Sequence, residues 1–194
     1  MAVKQPERLI LASGSVARRD LLTRAGYRFE VRPANIDEPT GQGVTDIRGF
    51  VHHVAWLKAA AVAPQIDRGV LIAADSVAWA AGQVLGKPAD IDDARRILKL
   101  VGGREHELWT GVCLWRRPDD LQICWQERSA VWFADLDADA LETYLATHLW
   151  RDNSGAYAIQ EGIDPYCRVS QGSISNVIGL PMETLARVLP LLGN

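Results

Sequence analysis

Apolar and polar positions along the chain switch between two periods, and the order of the switches predicts an α/β fold. Leu9 to Ala12 is an unbroken apolar run, which reads as a short buried strand. Ser13-Gly14-Ser15 forms a tight loop. Ser15 is the expected N-cap of a helix with Leu21, Leu22 and Ala25 on its apolar face and Gly26 as its stop. Tyr27, Phe29 and Val31 alternate with Arg28, Glu30 and Arg32, the pattern of a half-buried strand. Thr45 is the expected cap of a helix to about Ala63, with Phe50, Val54, Leu57 and Ala61 turned inward and Pro64 ending it. Val70 to Ala74 is continuous apolar sequence, as in a strand buried on both faces, and Asp75 is placed where that strand emerges.

The second half changes character. Ala81-Gly82 turns the chain into Val84-Leu85, and Asp90 caps a helix carrying Ala94, Ile97, Leu98 and Val101 that stops at Gly102-Gly103. Two long strands follow, His106 to Trp115 and Leu121 to Phe133. A four-residue loop at Arg117–Asp120 sets Arg116 opposite Leu121 and therefore Cys113 opposite Cys124. Leu136 and Leu141 bracket Asp137 as a hydrophobic staple opening a helix to about His148. "RDNSGAYAIQEG" is a polar, glycine-bearing loop. Short strands at Cys167–Val169 and Ser175–Ile178 precede a last helix from Met182 to Leu192. The antiparallel middle excludes a purely doubly wound sheet. The expected architecture is an extended mixed β-sheet with flanking helices, one unit over residues 1–194. Two lobes enclose a cleft, the smaller formed within about residues 80–150.

Composition narrows the function classes. The net charge is −3, which argues against nucleic-acid binding by bulk electrostatics. The seven tryptophans are scattered, with no basic stripe beside them. Trp56, Trp79 and Trp115 read as packing residues, and Trp150 is expected to border the cleft. No apolar run approaches the roughly 18 residues of a membrane span, and the N-terminal apolar run is too short for a signal peptide. A cytoplasmic location is the expectation, with Cys113, Cys124 and Cys167 reduced.

Candidate chemistry lies in separate loops. Arg18 and Arg19 fall in the first turn after Ser15, at the positive end of the helix dipole, where exposed cations are disfavoured. That arrangement makes sense if an anion sits on the Ser13–Ser15 loop, whose backbone N–H groups point the same way. Asp37 and Glu38 follow the second strand. Lys58 lies on the second helix, Asp75 and Ser76 on the central strand, Lys87 in "GKP", Thr110 in "WTGV" and Gln160 in "GAYAIQ". Taken singly, Lys58 reads as a solvated helix lysine, Glu38 as loop charge, and Asp75 equally as a turn acid or a ligand-facing one. Taken together, carboxylates, a hard divalent cation and lysines near an anion loop are what polyphosphate cleavage requires. Neither a Walker A loop nor a GxSxG nucleophile elbow is present.

"LASGSVARRDLL", "NIDE", "KAA" at Lys58, "AADSV", "GKP", "HELWTGV", "SGAYAIQ" and "SNVIGLPME", in that order, resemble the Maf family of nucleoside triphosphate pyrophosphatases over nearly the whole length. The resemblance implies a two-lobed mixed α/β fold like that of inosine triphosphate pyrophosphatases. It implies cleavage between the α and β phosphates, with Mg²⁺ or Mn²⁺. By residue, it implies that Asp75 accepts the proton and that Glu38 and Asp75 hold metal. Ser13, Ser15, Arg18, Arg19, Lys58, Lys87 and Thr110 would contact the substrate. Ala17, Ser76 and Gln160 would set base preference. Gln160 resembles the dTTP/UTP group, whereas Val16, Ala17 and Asn153 depart from the usual proline, base-selecting side chain and lysine. A pyrimidine-directed enzyme is therefore expected. The alternatives are a 7-methyl-GTP pyrophosphatase and a nucleotide-binding regulator of septum formation. A homodimer is suggested by analogy alone.

Overall fold

The computed structural model describes residues 4–151, 153–159 and 165–193. Its strands are β1 (Leu9–Leu11), β2 (Glu30–Val31), β3 (Gly69–Ala80), β4 (Gln83–Leu85), β5 (Arg104–Arg117), β6 (Leu121–Phe133) and β7 (Cys167–Gln171). Its helices are α1 (Val16–Arg24), α2 (Ile47–Val62), α3 (Ile91–Val101), α4 (Ala138–Ala146), α5 (Ile174–Ile178) and α6 (Met182–Val188). They build one mixed sheet in the order β2-β1-β3-β5-β6-β7, with β4 paired to β3. Pairing is parallel among β2, β1 and β3 and antiparallel thereafter. The mixed α/β expectation is met.

Helices cover both faces. On one, Ala55, Ala59 and Val62 of α2 pack on Ile10, Leu71, Ala73 and Cys113. On the other, Leu22 of α1 and Leu185 of α6 pack on Leu9, Ile72, Ala74 and Val112. A further cluster gathers α3, α4 and the far ends of β5 and β6 around Phe133, drawing on residues from Ala78 to Val177. The hairpin has the expected register, with Arg116 opposite Leu121 and Cys113 opposite Cys124.

Several local expectations are corrected. Asp46 rather than Thr45 caps α2, its Oδ1 accepting from Gly49 N at 3.1 Å. The inward face of α2 is Ile47, Val51, Val54, Ala55, Lys58, Ala59 and Val62, so Phe50, Leu57 and Ala61 are only half-buried. The second strand shrinks to Glu30–Val31, both exposed at the sheet edge. Ser175–Ile178 is helical, because the Ser173 side chain caps Asn176 N at 3.1 Å and overrides the strand preference of Val and Ile. The last helix becomes a 3₁₀ turn over Leu189–Leu192, where Pro190 lacks an N–H. Trp150 does not border a cleft. It is buried in the α3–α4 core and donates to Leu145 O at 2.9 Å.

Candidate active site

One strand edge creates the site. β5 pairs with β3 from Gly69 to Trp79, but the opposite edge of β3 is shared. There β1 pairs only with Val70–Ile72, and β4 only with Ala78–Ala80. Ala12 N still donates to Ile72 O, at 2.8 Å. Residues 73–77 lie in the gap between the two partners. Asp75 is thus not at a strand end, as expected, but in the middle of a long strand whose parallel neighbour has stopped. The chain leaving β1 becomes the Ser13–Ser15 loop at that gap, so the rule that sites form beyond the carboxyl ends of parallel strands still operates locally.

Adjacent residues of a strand point to opposite faces. Asp75 turns toward α2, where Lys58 Nζ meets its Oδ1 at 2.8 Å. The same Nζ lies 2.8 Å from Glu38 Oε2. Lys58 and Asp75 are each 7% exposed, whereas the Glu38 side chain is 54% exposed. One ammonium therefore draws a buried and a solvent-facing carboxylate to a common point. The solvated-lysine reading of Lys58 is corrected: the positive charge is buried because two acids neutralise it.

Ser76 turns the other way, into a hydrogen-bonded knot around Arg18. The guanidinium donates from Nε to Gly179 O (2.7 Å), from one terminal nitrogen to Ser13 Oγ (3.1 Å) and from the other to Ser76 Oγ (3.2 Å). Ser76 Oγ lies 2.8 Å from Thr110 Oγ1, which donates to Asn176 O at 3.1 Å. Burial pushes the Arg18 guanidinium down, and the charges of Asp75 and Glu38 pull it back up. Ser15 caps α1 as expected, accepting from Arg18 N at 3.3 Å, while Ser15 N donates to Ser13 Oγ at 3.2 Å. Arg18 is thus a strut from α1 to the turn after α5. Arg19, by contrast, is exposed. It does not pair with Glu30, which binds Arg8 and Arg32 instead.

The remaining candidates lie at the margins. Lys87 and Asp37 are exposed, Ala17 is half-buried, and Gln160 lies outside the described residues. The turn before it is anchored: Ser154 Oγ donates to Ser76 O at 3.0 Å, and Gly155 N to Gly86 O at 3.2 Å. Asn153 folds onto its own turn, donating to Leu149 O and Arg151 O. Ser154, Asn176 and the Gly179 carbonyl were not singled out from the sequence. The only signal for them lay in the stretches "SGAYAIQ" and "SNVIGLPME". Chemically, the site offers two converging carboxylates, a paired lysine and a rigid hydroxyl-and-guanidinium wall.

The sequence profile described as "Maf-like protein" matches residues 8–191. The chain belongs to the Maf family. A dTTP/UTP pyrophosphatase of Rhodopirellula baltica is 42% identical over 185 residues, covering 95% of this chain and 82% of that protein. One from Anaeromyxobacter sp. (strain Fw109-5) is 42% identical over 190 residues, covering 96% and 90%. Among solved structures, the Staphylococcus aureus Ham1 protein superposes with a TM-score of 0.56 at 15% identity, covering 94% of this chain and 98% of that one. That likeness concerns the fold alone. It fits the sheet and flanking helices described above.

Proposed function

We propose that this Maf protein hydrolyses dTTP and UTP to the nucleoside monophosphate and pyrophosphate. The observation that carries the reading is the meeting of Glu38, Lys58 and Asp75 at one point beside the Ser13–Arg18–Ser76 wall. Relatives 42% identical over most of the chain bear the name dTTP/UTP pyrophosphatase.

Asp75 takes the proton of the attacking water, because a buried carboxylate beside a fixed ammonium is held in one orientation. Lys58 fixes that orientation and adds positive charge where phosphate oxygens gather. The exposed cations Arg19 and Lys87 bind the outer phosphates. The donor set formed by Glu38 and Asp75 fits a hard divalent cation, which prefers carboxylate oxygens and leaves room for phosphate oxygens and water. When bound, Mg²⁺ or Mn²⁺ would supply charge neutralisation for the leaving pyrophosphate. In this reading Ser76 and Ala17 would face the base, and the small Ala17 side chain would leave it space. A cytoplasmic location matches a nucleotide substrate.

The test is pyrophosphate release from dTTP, UTP, CTP, GTP and 7-methyl-GTP with Mg²⁺ or Mn²⁺ and after chelation, with Asp75→Asn alongside. Turnover of dTTP and UTP that disappears in the variant and on chelation is expected. A preference for 7-methyl-GTP, or no turnover of any triphosphate by folded protein, overturns the reading.

A further inference from the structure

One buried polar pair lies away from the carboxylates and takes no part in the chemistry above. His106 Nε2 lies 2.7 Å from Tyr157 Oη, and the two residues are 4% and 3% exposed. Their rings meet edge to face with centroids 5.3 Å apart, and Tyr157 also packs on Phe133 at 5.7 Å. The pair links the start of β5 to the turn that follows Trp150.

That turn is held in a demanding conformation. Gly155 and Ala156 both adopt positive φ, 84° and 64°. A Cβ on Gly155 would lie 2.7 Å from the Tyr157 ring and 3.2 Å from Ala78 Cβ. Left-handed backbone at a non-glycine residue persists only where its surroundings fix it. Within the turn Ala156 N donates to Asn153 O at 3.1 Å, and among the described residues three contacts tie the turn to other elements: Ser154 Oγ to Ser76 O, Gly155 N to Gly86 O, and Tyr157 Oη to His106. The first two bind the turn to site elements, the strand residue Ser76 and the loop leading into Lys87. The third sits at the rear and binds it to the core.

We propose that His106 is a positioning residue: through Tyr157 it locks residues 154–157 so that Ser76 and the Gly86–Lys87 loop form one wall of the substrate cleft. The inference rests on the proposed nucleoside triphosphate site. The turn binds the backbone of Ser76 and Gly86, whereas the Asp75 carboxylate is held on the opposite face of the strand by Lys58, so loosening of the turn weakens substrate binding more than proton transfer. Burial drives the His106 imidazole down to about 4, overcoming the opposing pull of the Arg104 backbone and the Glu105 charge. Burial likewise holds the Tyr157 phenol well above its ordinary range. The hydrogen bond therefore joins two neutral groups at neutral pH.

The experiment compares His106→Leu, His106→Gln, Tyr157→Phe and the Leu/Phe double variant in two readouts. One is the kinetics of pyrophosphate release from dTTP and UTP. The other is hydrogen exchange of amides 153–159 without substrate. Loss of the bond in His106→Leu or Tyr157→Phe is expected to raise KM about five- to ten-fold with kcat changed less than about two-fold. Exchange should quicken in that turn but not in the central strands. The double variant should be no worse than either single one, and His106→Gln, which offers an amide near the Nε2 position, should recover most of the KM. Unchanged KM and exchange in the single variants overturn the proposal, as does quickened exchange spread evenly over the sheet. If the wild type releases no pyrophosphate, the functional reading falls, and the exchange pattern still decides whether His106 locks the turn.

Discussion

Lys58 donates to Asp75 across 2.8 Å, and the two side chains are only 9% and 10% exposed. Removing one partner of such a pair strands the other charge in a poorly solvated place. Lys58→Met should therefore lower unfolding stability by about 3–5 kcal/mol. Lys58→Met with Asp75→Asn should regain most of the loss, because the stranded charge is gone, while pyrophosphate release stays abolished. Urea unfolding of Lys58→Met, Asp75→Asn and the double variant checks this. A double variant as unstable as the sum of the single ones would show that the charge pairing is not the source.

The neighbouring arginines should separate stability from substrate binding. Arg18 donates to Gly179, Ser13 and Ser76 from three nitrogens. A lysine cannot reproduce that planar fork. Arg18→Lys should cost about 2–3 kcal/mol, the loss of charged hydrogen bonds in a buried place. Arg19 is exposed, so Arg19→Ala should change stability by less than about 0.5 kcal/mol while raising KM for the triphosphate. Equal thermal losses in the two variants would contradict this division.

These two pairs also show what the sequence could reveal. The elements were legible because hydrophobic period, capping serines and aspartates, and glycine stops act locally. Ser15, Asp90 and Asp137 all cap as expected. The inward face of α2 was not legible, for a reason tied to the site. A lysine in a helix reads as solvated, so the sequence turns the face carrying Lys58 outward and Phe50 and Leu57 inward. Only the strand holding Asp75, distant in sequence, makes burial of that ammonium tolerable. The length of β3 is hidden similarly, since Asp75 and Ser76 interrupt its apolar run while β5 pairs with it from Gly69 to Trp79. Helix α5 looked like a strand because five residues rich in Ile and Val carry little periodicity. Ordered motifs brought Ser13, Arg18, Lys58, Asp75, Ser76 and Thr110 into view. Their division between two faces of one strand needed the sheet register.

Acidification should weaken the fold before the salt-bridged carboxylates respond. His106 takes up a proton near 6.5 when unfolded but only near 4 when buried. Between those values the unfolded chain binds more protons, so stability present above pH 6.5 is lost as the pH falls toward 4. The loss is about 3 kcal/mol by linkage. Glu30, Asp119 and Glu142 are held below the usual carboxylate range, first of all by hydrogen bonds from Arg8, Arg116 and Arg95. Their contribution disappears only at lower pH. Denaturant titrations at steps between pH 7 and pH 4 should show the decline in wild type and a flatter profile in His106→Gln. Parallel profiles would exclude His106 as the cause.

Cys113 and Cys124 face each other across β5 and β6, and they should differ sharply in reactivity. Cys113 is fully buried, whereas Cys124 is partly accessible. The Cys124 thiol is pulled down by its contact with Cys113 and, after the opposing effect of burial, by His52. Cys113 is pushed up by the same neighbour and by burial. The thiolate is the reacting species, so alkylation should begin at Cys124. Brief treatment of native protein with iodoacetamide, followed by peptide mass analysis, should find the first adduct there. His52→Ala should slow it. Full denaturation without reductant should release three titratable thiols, one for each cysteine in the chain. First modification at Cys113 or Cys167 would mean that accessibility and charge at this strand pair are not what the geometry dictates.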